Sequence, residues 1–474
     1  MKEKFKLTKL EKSWVLYDVG NSAFTLLVST LLPIYFNALA DSAGLNEELY
    51  LSYWGYAGSI ATILVAILGP ILGTMSDRKG YKKPFFLIMV ALGVICCAAM
   101  GLAKGWLIFL AIFILAKVGF NGSLVFYDSM LPEITTEERI DDISTQGYAW
   151  GYIGSVIPFV MCLALVLFGE NFGVDASTAI VISLIITAVW WAVFTLPLTR
   201  RYKQTAYVER GEHPIADTFR QIGETFRKAK EQKHVFVYLI AFFFFINGVY
   251  TIIDMATAYG TDLGLDTTGL LLALLLTQIV AFPCAILFGK LSANHDSAKL
   301  MKICIICYTC ITLFAVFLVS QWQFWLLATM VGMFQGAIQA LSRSYLGKIV
   351  SAEQSGEFYG LMDICGKGAS FFGMALVGFI NQVTADVQVN IFGLQLQNSN
   401  LAVSVLVVLF IIGYLLFCKA DKLNKARKGA SKHKKSPETQ VSGAFSLCIV
   451  LQIFCGAGGH FLEEGSLLGI GEAL

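Results

Sequence analysis

The sequence is poor in charged residues. Only 14% of its 474 residues are charged, while 56% are hydrophobic, whereas soluble domains carry about 25% charged residues. A chain of this length cannot cover its apolar side chains in water with so few charges, which excludes a soluble globular protein. The composition therefore predicts an integral membrane protein whose surroundings are a lipid bilayer.

The sequence also lacks the groups that several kinds of chemistry require. Its five histidines are scattered without the spacing of a metal site. Cys304, Cys307 and Cys310 share one helical face, but buried cysteine commonly acts as a small hydrophobic residue. No nucleotide-binding loop, Ser-His-Asp arrangement or nucleic-acid-binding module stands out. We therefore expect no enzyme activity, no metal, no cofactor and no nucleic-acid partner.

Twelve apolar segments are present, each close to the length of about 20 residues that spans a bilayer as a helix. They lie near 14–37, 52–75, 84–103, 106–127, 147–168, 178–198, 235–258, 268–289, 300–319, 323–342, 357–380 and 399–418. The polar stretch 199–234 divides them six and six. This pattern predicts an all-α membrane protein with two pseudo-symmetric six-helix bundles, 1–198 and 235–418.

The basic residues predict the orientation of the chain. Of the 35 lysines and arginines, all but Lys104, Lys117 and Lys367 lie at one end of the predicted helices or in the segments joined to that end. Because lysine and arginine are enriched in cytoplasmic segments, this end should be cytoplasmic, with both termini inside.

Two polar regions lie outside the predicted bundles. In the linker 199–234, Ile215, Phe219, Ile222 and Phe226 have the spacing of an amphipathic helix on the inner membrane surface, and a disordered basic linker is the alternative. The tail 419–474 is basic and then semi-apolar, and we expect an interfacial or poorly ordered segment rather than a thirteenth span.

A short charged turn joins the second and third segments, with the pattern G-x-x-x-D-R-x-G-x-K-K. It resembles the signature loop between helices two and three of the major facilitator superfamily, a loop that acts in the conformational switch. Its residues are Gly73, Asp77, Arg78, Gly80, Lys82 and Lys83. A small residue permits close helix approach, glycine permits a tight turn, and Asp77 beside Arg78 predicts a local charge network. In the second half, Ala293 and Asn294 replace the aspartate and arginine, so we expect the matching network to be largely lost.

Charged residues within apolar helices are costly and are therefore functional candidates. Lys117 has no opposite charge on its own helix, so it needs a carboxylate from another helix or from a substrate. Asp363 and Lys367 are four residues apart and can pair with each other as structural contacts. Asp18 and Asp254 complete the charged set, and Asp254 is placed toward the outer end of its helix, where water can reach it.

Five stretches resemble the vacuole effluxer family, the autophagy-related amino-acid exporter-like proteins and their bacterial homologues. They are Tyr17–Phe24, Phe126–Glu133, Gly147–Gly154, Gln335–Ser344 and Phe358–Ser370. The resemblance spans about residues 14 to 418 and implies a secondary transporter, and vacuolar members are associated with amino-acid export. It implies the cell membrane in a bacterium and the vacuolar membrane in a fungus. Asn247 departs from the family pattern, because many relatives carry aspartate there.

The predicted function is transport of a small solute, with amino acids as the candidate class, by alternating access of the two bundles, in a chain that we expect to be a monomer. Candidate substrate-binding residues are Asn21, Lys117, Asn121, Gln335, Gln339 and Lys367. Candidate proton-coupling residues are Asp18, Asp254 and Asp363, because a partly buried carboxylate has a raised pKa. The alternatives are an exporter of amphipathic or drug-like compounds, a membrane-embedded enzyme, and a receptor that does not transport.

Overall fold

In the computed structural model, twelve long helices make up most of the chain. The structure describes residues 6–45, 50–209, 220–221, 223–224, 232–384, 389–391, 394–396 and 398–433. The first six helices are α1 (Lys9–Ser42), α2 (Tyr50–Ser76), α3 (Lys82–Ala99), α4 (Trp106–Ile134), α5 (Ile140–Phe168) and α6 (Ala176–Arg201). The second six are α7 (Lys233–Asp262), α8 (Thr267–Ser292), α9 (Ser297–Val316), α10 (Gln321–Ile349), α11 (Ser355–Val383) and α12 (Asn398–His433). Each of the twelve is long and apolar enough to span a bilayer, which confirms the predicted fold class.

The helices start where the sequence provides capping side chains. Thr8 and Glu11 form a reciprocal capping box at the start of α1, with hydrogen bonds of 3.1 and 2.7 Å. Asp175, Asp266 and Asp296 cap α6, α8 and α9, since each carboxylate accepts a hydrogen bond from a backbone N–H in the first turn. The caps fix the ends of helices whose lengths the bilayer sets.

The helix ends differ from the predicted spans. The prediction ended α4 at 127 and α10 at 342, whereas these helices continue to Ile134 and Ile349. The prediction began α5 at 147, and it begins at Ile140. The added turns mix polar and apolar residues, most of which are buried, so these turns remain helical beyond the apolar stretch.

Two short strands were not predicted. They are β1 (Val389–Ile391) and β2 (Leu394–Leu396), which pair antiparallel with Val389 opposite Leu396. They lie between α11 and α12. Two predicted features lie outside the described residues. They are the apolar positions of the linker helix (Ile215, Phe219, Ile222 and Phe226) and the tail beyond residue 433.

The chain forms two compact units, Met1–Leu423 and Asn424–Leu474. The first contains α1 to α11 and most of α12, and in the second the described residues are the end of α12. Within the first unit, one end carries the described loops 77–81, 135–139 and 202–209, and we call it the loop end. The opposite end carries the described connections 43–45, 103–105, 173–175, 263–266 and 317–320. The predicted domain boundaries at 198 and 234 remain predictions.

An aromatic core holds the first six helices together. The ring of Trp14 in α1 stacks on Tyr127 in α4 with centroids 4.4 Å apart, and Tyr17 lies 4.6 Å from the same tyrosine. Farther along α1, Phe24 packs between Phe120 of α4 and Trp191 of α6. These buried rings fix α1 and α4 beside each other, and both helices supply charged side chains to the site.

Candidate functional site

A buried arginine joins the two sets of helices. Arg343 in α10 has a side chain that is 3% exposed, and its Nη1 lies 2.9 Å from Asp128 Oδ1 in α4. Its guanidinium also lies 3.4 Å from Asp18 Oδ2 in α1, and its Nε donates to Ser144 Oγ in α5 at 3.0 Å. Tyr127 donates a further hydrogen bond of 2.8 Å to Asp18. One side chain of the second half is therefore bound to three helices of the first.

Aromatic rings enclose the same guanidinium. Its carbon lies 4.6 Å from the ring centre of Trp14, 4.5 Å from that of Tyr148 and 5.5 Å from that of Tyr127. Cations are attracted to ring faces, and more strongly when water is excluded. A buried charge is costly unless it is paired, so the two carboxylates and the rings together compensate for the burial of Arg343.

The signature loop binds the start of α11. Asp77 accepts hydrogen bonds from the backbone N–H groups of Gly356 at 2.7 Å and Glu357 at 2.9 Å. These groups belong to the first turn of α11, where the helix dipole favours a negative charge. The prediction placed the Asp77 network within the turn, but it extends to the second half of the chain. Burial raises the pKa of Asp77 to about 7, although the neighbouring Lys82 acts in the opposite direction.

Lys82 is completely buried beside Asp77. Its Nζ lies 2.8 Å from Glu133 Oε1 in α4, 2.9 Å from Ser355 Oγ in α11 and 3.6 Å from Asp77 Oδ1. Arg78 is also buried, and Lys83 is partly buried. Most of the basic residues of this turn therefore take part in the packed interior of the loop end rather than lying in solvent.

The backbones of α2 and α11 touch at four glycines. A Cβ atom on Gly73 would lie 2.3 Å from the carbonyl oxygen of Gly356, and one on Gly360 would lie 2.7 Å from that of Gly69. Glycines four residues apart on both helices permit this approach. Gly80, with φ 78°, makes the tight turn that follows. The close approach and the tight turn that the sequence predicts are both present.

The chain after α6 covers the signature loop. Gln204 Oε1 accepts a hydrogen bond from the Gly80 N–H at 2.9 Å, and Val208 forms a parallel bridge with Arg78. Glu133 Oε2 accepts from the Thr205 N–H at 2.7 Å. Residues 202–209 thus fix the loop to the end of α4.

A second charged contact joins the halves at Asp141. This buried carboxylate at the start of α5 accepts hydrogen bonds from Ser297 Oγ at 2.7 Å and Ser344 Oγ at 2.6 Å, and it pairs with Lys348. Ser297 begins α9, and the other two partners lie on α10. The carboxylate of this contact comes from α5 and not from the turn that contains Ala293 and Asn294, so it is distinct from the network whose loss the sequence predicts.

A further group of charges lies nearer the middle of the helices. Lys367 pairs with Asp363 on α11, as their spacing predicts, and both side chains are partly exposed. Asp363 faces α2, since its Oδ2 lies 3.8 Å from the position of a Cβ on Gly69. It also interacts electrostatically with Asp128 in the Arg343 cluster. The charges thus continue from the loop end toward the middle of the protein.

Lys117 in α4 lies next to this group. Its Nζ is 5.8 Å from the ring centre of Phe113 and 3.7 Å from a Cβ position on Gly58. It interacts electrostatically with Asp254 in α7 and with Lys367 in α11. The sequence predicts a carboxylate from another helix or from a substrate as the partner of Lys117, and Asp254 is a carboxylate of another helix within electrostatic range.

The polar candidates lie at several places in the structure. Asn21 donates a hydrogen bond of 3.4 Å to Asp18 and so belongs to the Arg343 cluster. Gln335 and Gln339 in α10 both reach Tyr152 in α5, with a distance of 3.5 Å from Gln339 Nε2 to the phenol oxygen. Asn121 is buried in α4, one turn beyond Lys117. The candidate residues are therefore not gathered around a single point.

Several residues of the site were not predicted to act in it. They are Asp128, Glu133, Asp141, Arg343 and Lys348. Asp128, Glu133 and Arg343 lie within the stretches that resemble the vacuole effluxer family, which is the signal that could have found them. Over the described ranges, no group of three or more histidine, cysteine, aspartate or glutamate side chains could hold a metal ion.

Comparison with known proteins identifies the family. A family profile described as "Vacuole effluxer Atg22 like" matches residues 46–430. The uncharacterized MFS-type transporter YxiO of Bacillus subtilis (strain 168) is 38% identical, over 87% of this chain and 94% of its own length. Autophagy-related protein 22 of Coccidioides immitis (strain RS) is 22% identical, over 71% of this chain and 69% of its own length.

Solved structures show the same fold at low identity. The human organic anion transporter MFSD10 has a TM-score of 0.63 at 14% identity, over 86% of this chain and 99% of its own. The major facilitator superfamily transporter FucP in the outward conformation also has a TM-score of 0.63 at 14% identity, over 87% of this chain and 97% of its own. The chain therefore belongs to the Atg22-like vacuole effluxer family of the major facilitator superfamily.

Proposed function

We propose that this protein is a secondary transporter that moves amino acids across its membrane by alternating access. One observation carries the proposal. Hydrogen bonds and ion pairs join α1–α6 to α7–α12 through the loop-end halves of their helices, at Asp77, Asp141 and Arg343. Beyond them, toward the opposite end, the charged side chains of Lys117 and Lys367 are partly exposed and Asp254 is exposed.

This arrangement fits one state of an alternating-access cycle. If the loop end is cytoplasmic, as the distribution of basic residues predicts, the structure is closed to the cytoplasm. FucP in the outward conformation and a bacterial ferroportin homologue in an outward-facing state have similar folds. We place both termini in the cytoplasm and infer that the opposite end admits solute in this state.

The charges support a solute with both a positive and a negative group. Lys117 and Lys367 can bind a carboxylate, while Asp254 and Asp363 can bind an ammonium group. An amino acid carries both groups, and a cavity that pairs each of them avoids leaving a buried charge without a partner. Asp18, Asp254 and Asp363 remain the candidates for proton coupling, and the chain is proposed to act as a monomer.

Uptake into sealed vesicles tests the proposal. The purified protein is reconstituted, and accumulation of a mixture of amino acids is followed with and without an imposed pH gradient. We expect accumulation that depends on the gradient, and a strong loss in Lys117→Ala and Lys367→Met but not in Lys104→Ala, which removes an exposed lysine outside the group.

The outcomes separate the parts of the proposal. Unchanged uptake in Lys117→Ala and Lys367→Met would remove these lysines from the site while leaving transport intact. Accumulation without any dependence on the pH gradient would argue against proton coupling. No amino-acid flux in any condition would overturn the substrate class, and amphipathic compounds would then be tested next.

A further inference from the structure

Asp254 is oriented by a serine from a neighbouring helix. Ser370 Oγ in α11 donates a hydrogen bond of 2.7 Å to Asp254 Oδ2 in α7. The side chain of Asp254 is exposed, yet it interacts electrostatically with Lys117 of α4 in the other half. Asp254 is therefore hydrogen-bonded within its own half and within electrostatic range of a lysine of the other half.

The position of Ser370 connects this contact to the other charges. Ser370 follows Lys367 by three residues on α11, so the two side chains share a face of the helix. Lys367 in turn pairs with Asp363. One face of α11 therefore carries both the Asp363–Lys367 ion pair and the Ser370 hydroxyl that orients Asp254.

Asp254 keeps free capacity to bind a cation. A carboxylate offers about four acceptor positions, and the hydrogen bond from Ser370 occupies one of them. By contrast, both oxygens of Asp363 contact Lys367. Among Lys117, Lys367, Asp254 and Asp363 the formal charges cancel, so a solute that is neutral overall but bears two opposite charges matches the group.

We infer that Asp254, oriented by Ser370, selects solutes that carry an ammonium group as well as a carboxylate, and rejects carboxylic acids that lack the amine. The inference rests on the proposed function and adds its selectivity. The ammonium group binds Asp254 while the carboxylate faces Lys117. If Asp254 loses its charge, the four side chains of Lys117, Lys367, Asp254 and Asp363 carry a net positive charge. Carboxylic acids without an amine should then bind better than they do to the wild type, and amino acids should bind worse.

Competition measures this selectivity. Reconstituted wild-type protein and Asp254→Asn are given a mixture of the twenty amino acids, with propionate and 4-methylpentanoate as competitors that match alanine and leucine without the amine. Asparagine has the shape of aspartate and can still accept the hydrogen bond from Ser370. The preference for amino acid over matching acid should fall about tenfold or more in Asp254→Asn, which corresponds to the loss of one charged hydrogen bond.

Two further variants separate selectivity from folding. Ser370→Ala keeps the charge but frees the carboxylate to rotate, so the preference should change in the same direction by a smaller factor. Asp41→Asn removes an exposed carboxylate at the end of α1 and should behave as wild type. Stronger inhibition of Asp254→Asn by the competing acids would itself show that the variant is folded.

Each outcome supports or overturns the inference. If wild type transports amino acids and Asp254→Asn keeps the wild-type preference, the inference is wrong and the proposed function stands. If Asp254→Asn loses amino-acid and acid binding equally, Asp254 is not a selectivity residue. If wild type moves none of the twenty amino acids, the proposed function fails and the inference fails with it.

Discussion

Placing a methyl group between α2 and α11 should shift the protein away from the state described here. At Gly73 the added Cβ would lie 2.3 Å from the carbonyl oxygen of Gly356, whereas carbon and oxygen in contact lie about 3.3 Å apart. The helices would have to separate by about 1 Å to admit it. Closure of the loop end depends on this approach, so Gly73→Ala should destabilise the closed state while the open state tolerates it.

The expected size of the shift follows from the cost of overpacking. Forcing an extra carbon into a packed contact costs about 1–3 kcal/mol. Because the cost applies only when the loop end is closed, it changes the ratio of closed to open molecules by about 5- to 150-fold. Gly356→Ala creates the reciprocal contact with the carbonyl oxygen of Gly73, also at 2.3 Å, and should produce a shift of similar size.

Spin labels at Lys79 and Glu353 report the opening, because both residues are exposed at the loop end and belong to different halves. The labels require a background without the native cysteines. Pulsed dipolar spectroscopy should show a longer distance gaining population in Gly73→Ala. Gly55→Ala and Gly378→Ala are matched controls on α2 and α11, since a Cβ at either position has no atom within 4 Å. A distance distribution in Gly73→Ala identical to that of the controls would refute the reasoning.

Two more predictions concern charges at the loop end, measured with the same label pair. Asp141→Asn leaves Lys348 without its carboxylate, so closure should weaken by about 1.5–3 kcal/mol, while Glu138→Gln, an exposed control, should change nothing. An unchanged distance in Asp141→Asn would show that this contact does not stabilise closure. The raised pKa of Asp77, about 7 in the closed state, means that the closed state binds a proton more tightly than an open state in which Asp77 meets water. Closure should therefore strengthen as the pH falls through neutrality and weaken as it rises, and Asp77→Asn should remove this dependence. A flat titration of the wild type would contradict it.

The sequence predicts the twelve helices well because the bilayer imposes their length. An apolar stretch must cross the hydrocarbon as a helix, since no water is there to satisfy its backbone. The ends of the helices are harder to predict. The last turns of α10, up to Ile349, carry Arg343, Ser344 and Lys348, and hydropathy alone assigns such residues to a loop. They are helical because their polar groups bind partners in the other half, which are distant in sequence.

The contacts between the halves were missed for a related reason. A count of basic residues reports the side of the membrane on which a charge lies, but not whether the charge faces water or another helix. Lys82, Arg343 and Lys348 all counted toward the cytoplasmic side, and each is paired with a carboxylate of the first half. The signature loop could be recognised because its residues are adjacent in sequence, whereas Asp141 and its partners are more than 150 residues apart.

If the loop end is cytoplasmic, as the distribution of basic residues predicts, orientation and closure depend on the same residues. A lysine or arginine at the loop end favours the cytoplasmic side while the chain inserts, and afterwards Arg343 and Lys348 pair with Asp128 and Asp141 across the two halves. When the halves separate, these cations must exchange their carboxylates for water, which is available only outside the hydrocarbon. Charged contacts between the halves are therefore best placed near an aqueous face, whereas the charged side chains that bind a solute can lie deeper. Lys117 and Lys367 lie near the middle of α4 and α11, at the depth where a charge needs a partner in every state.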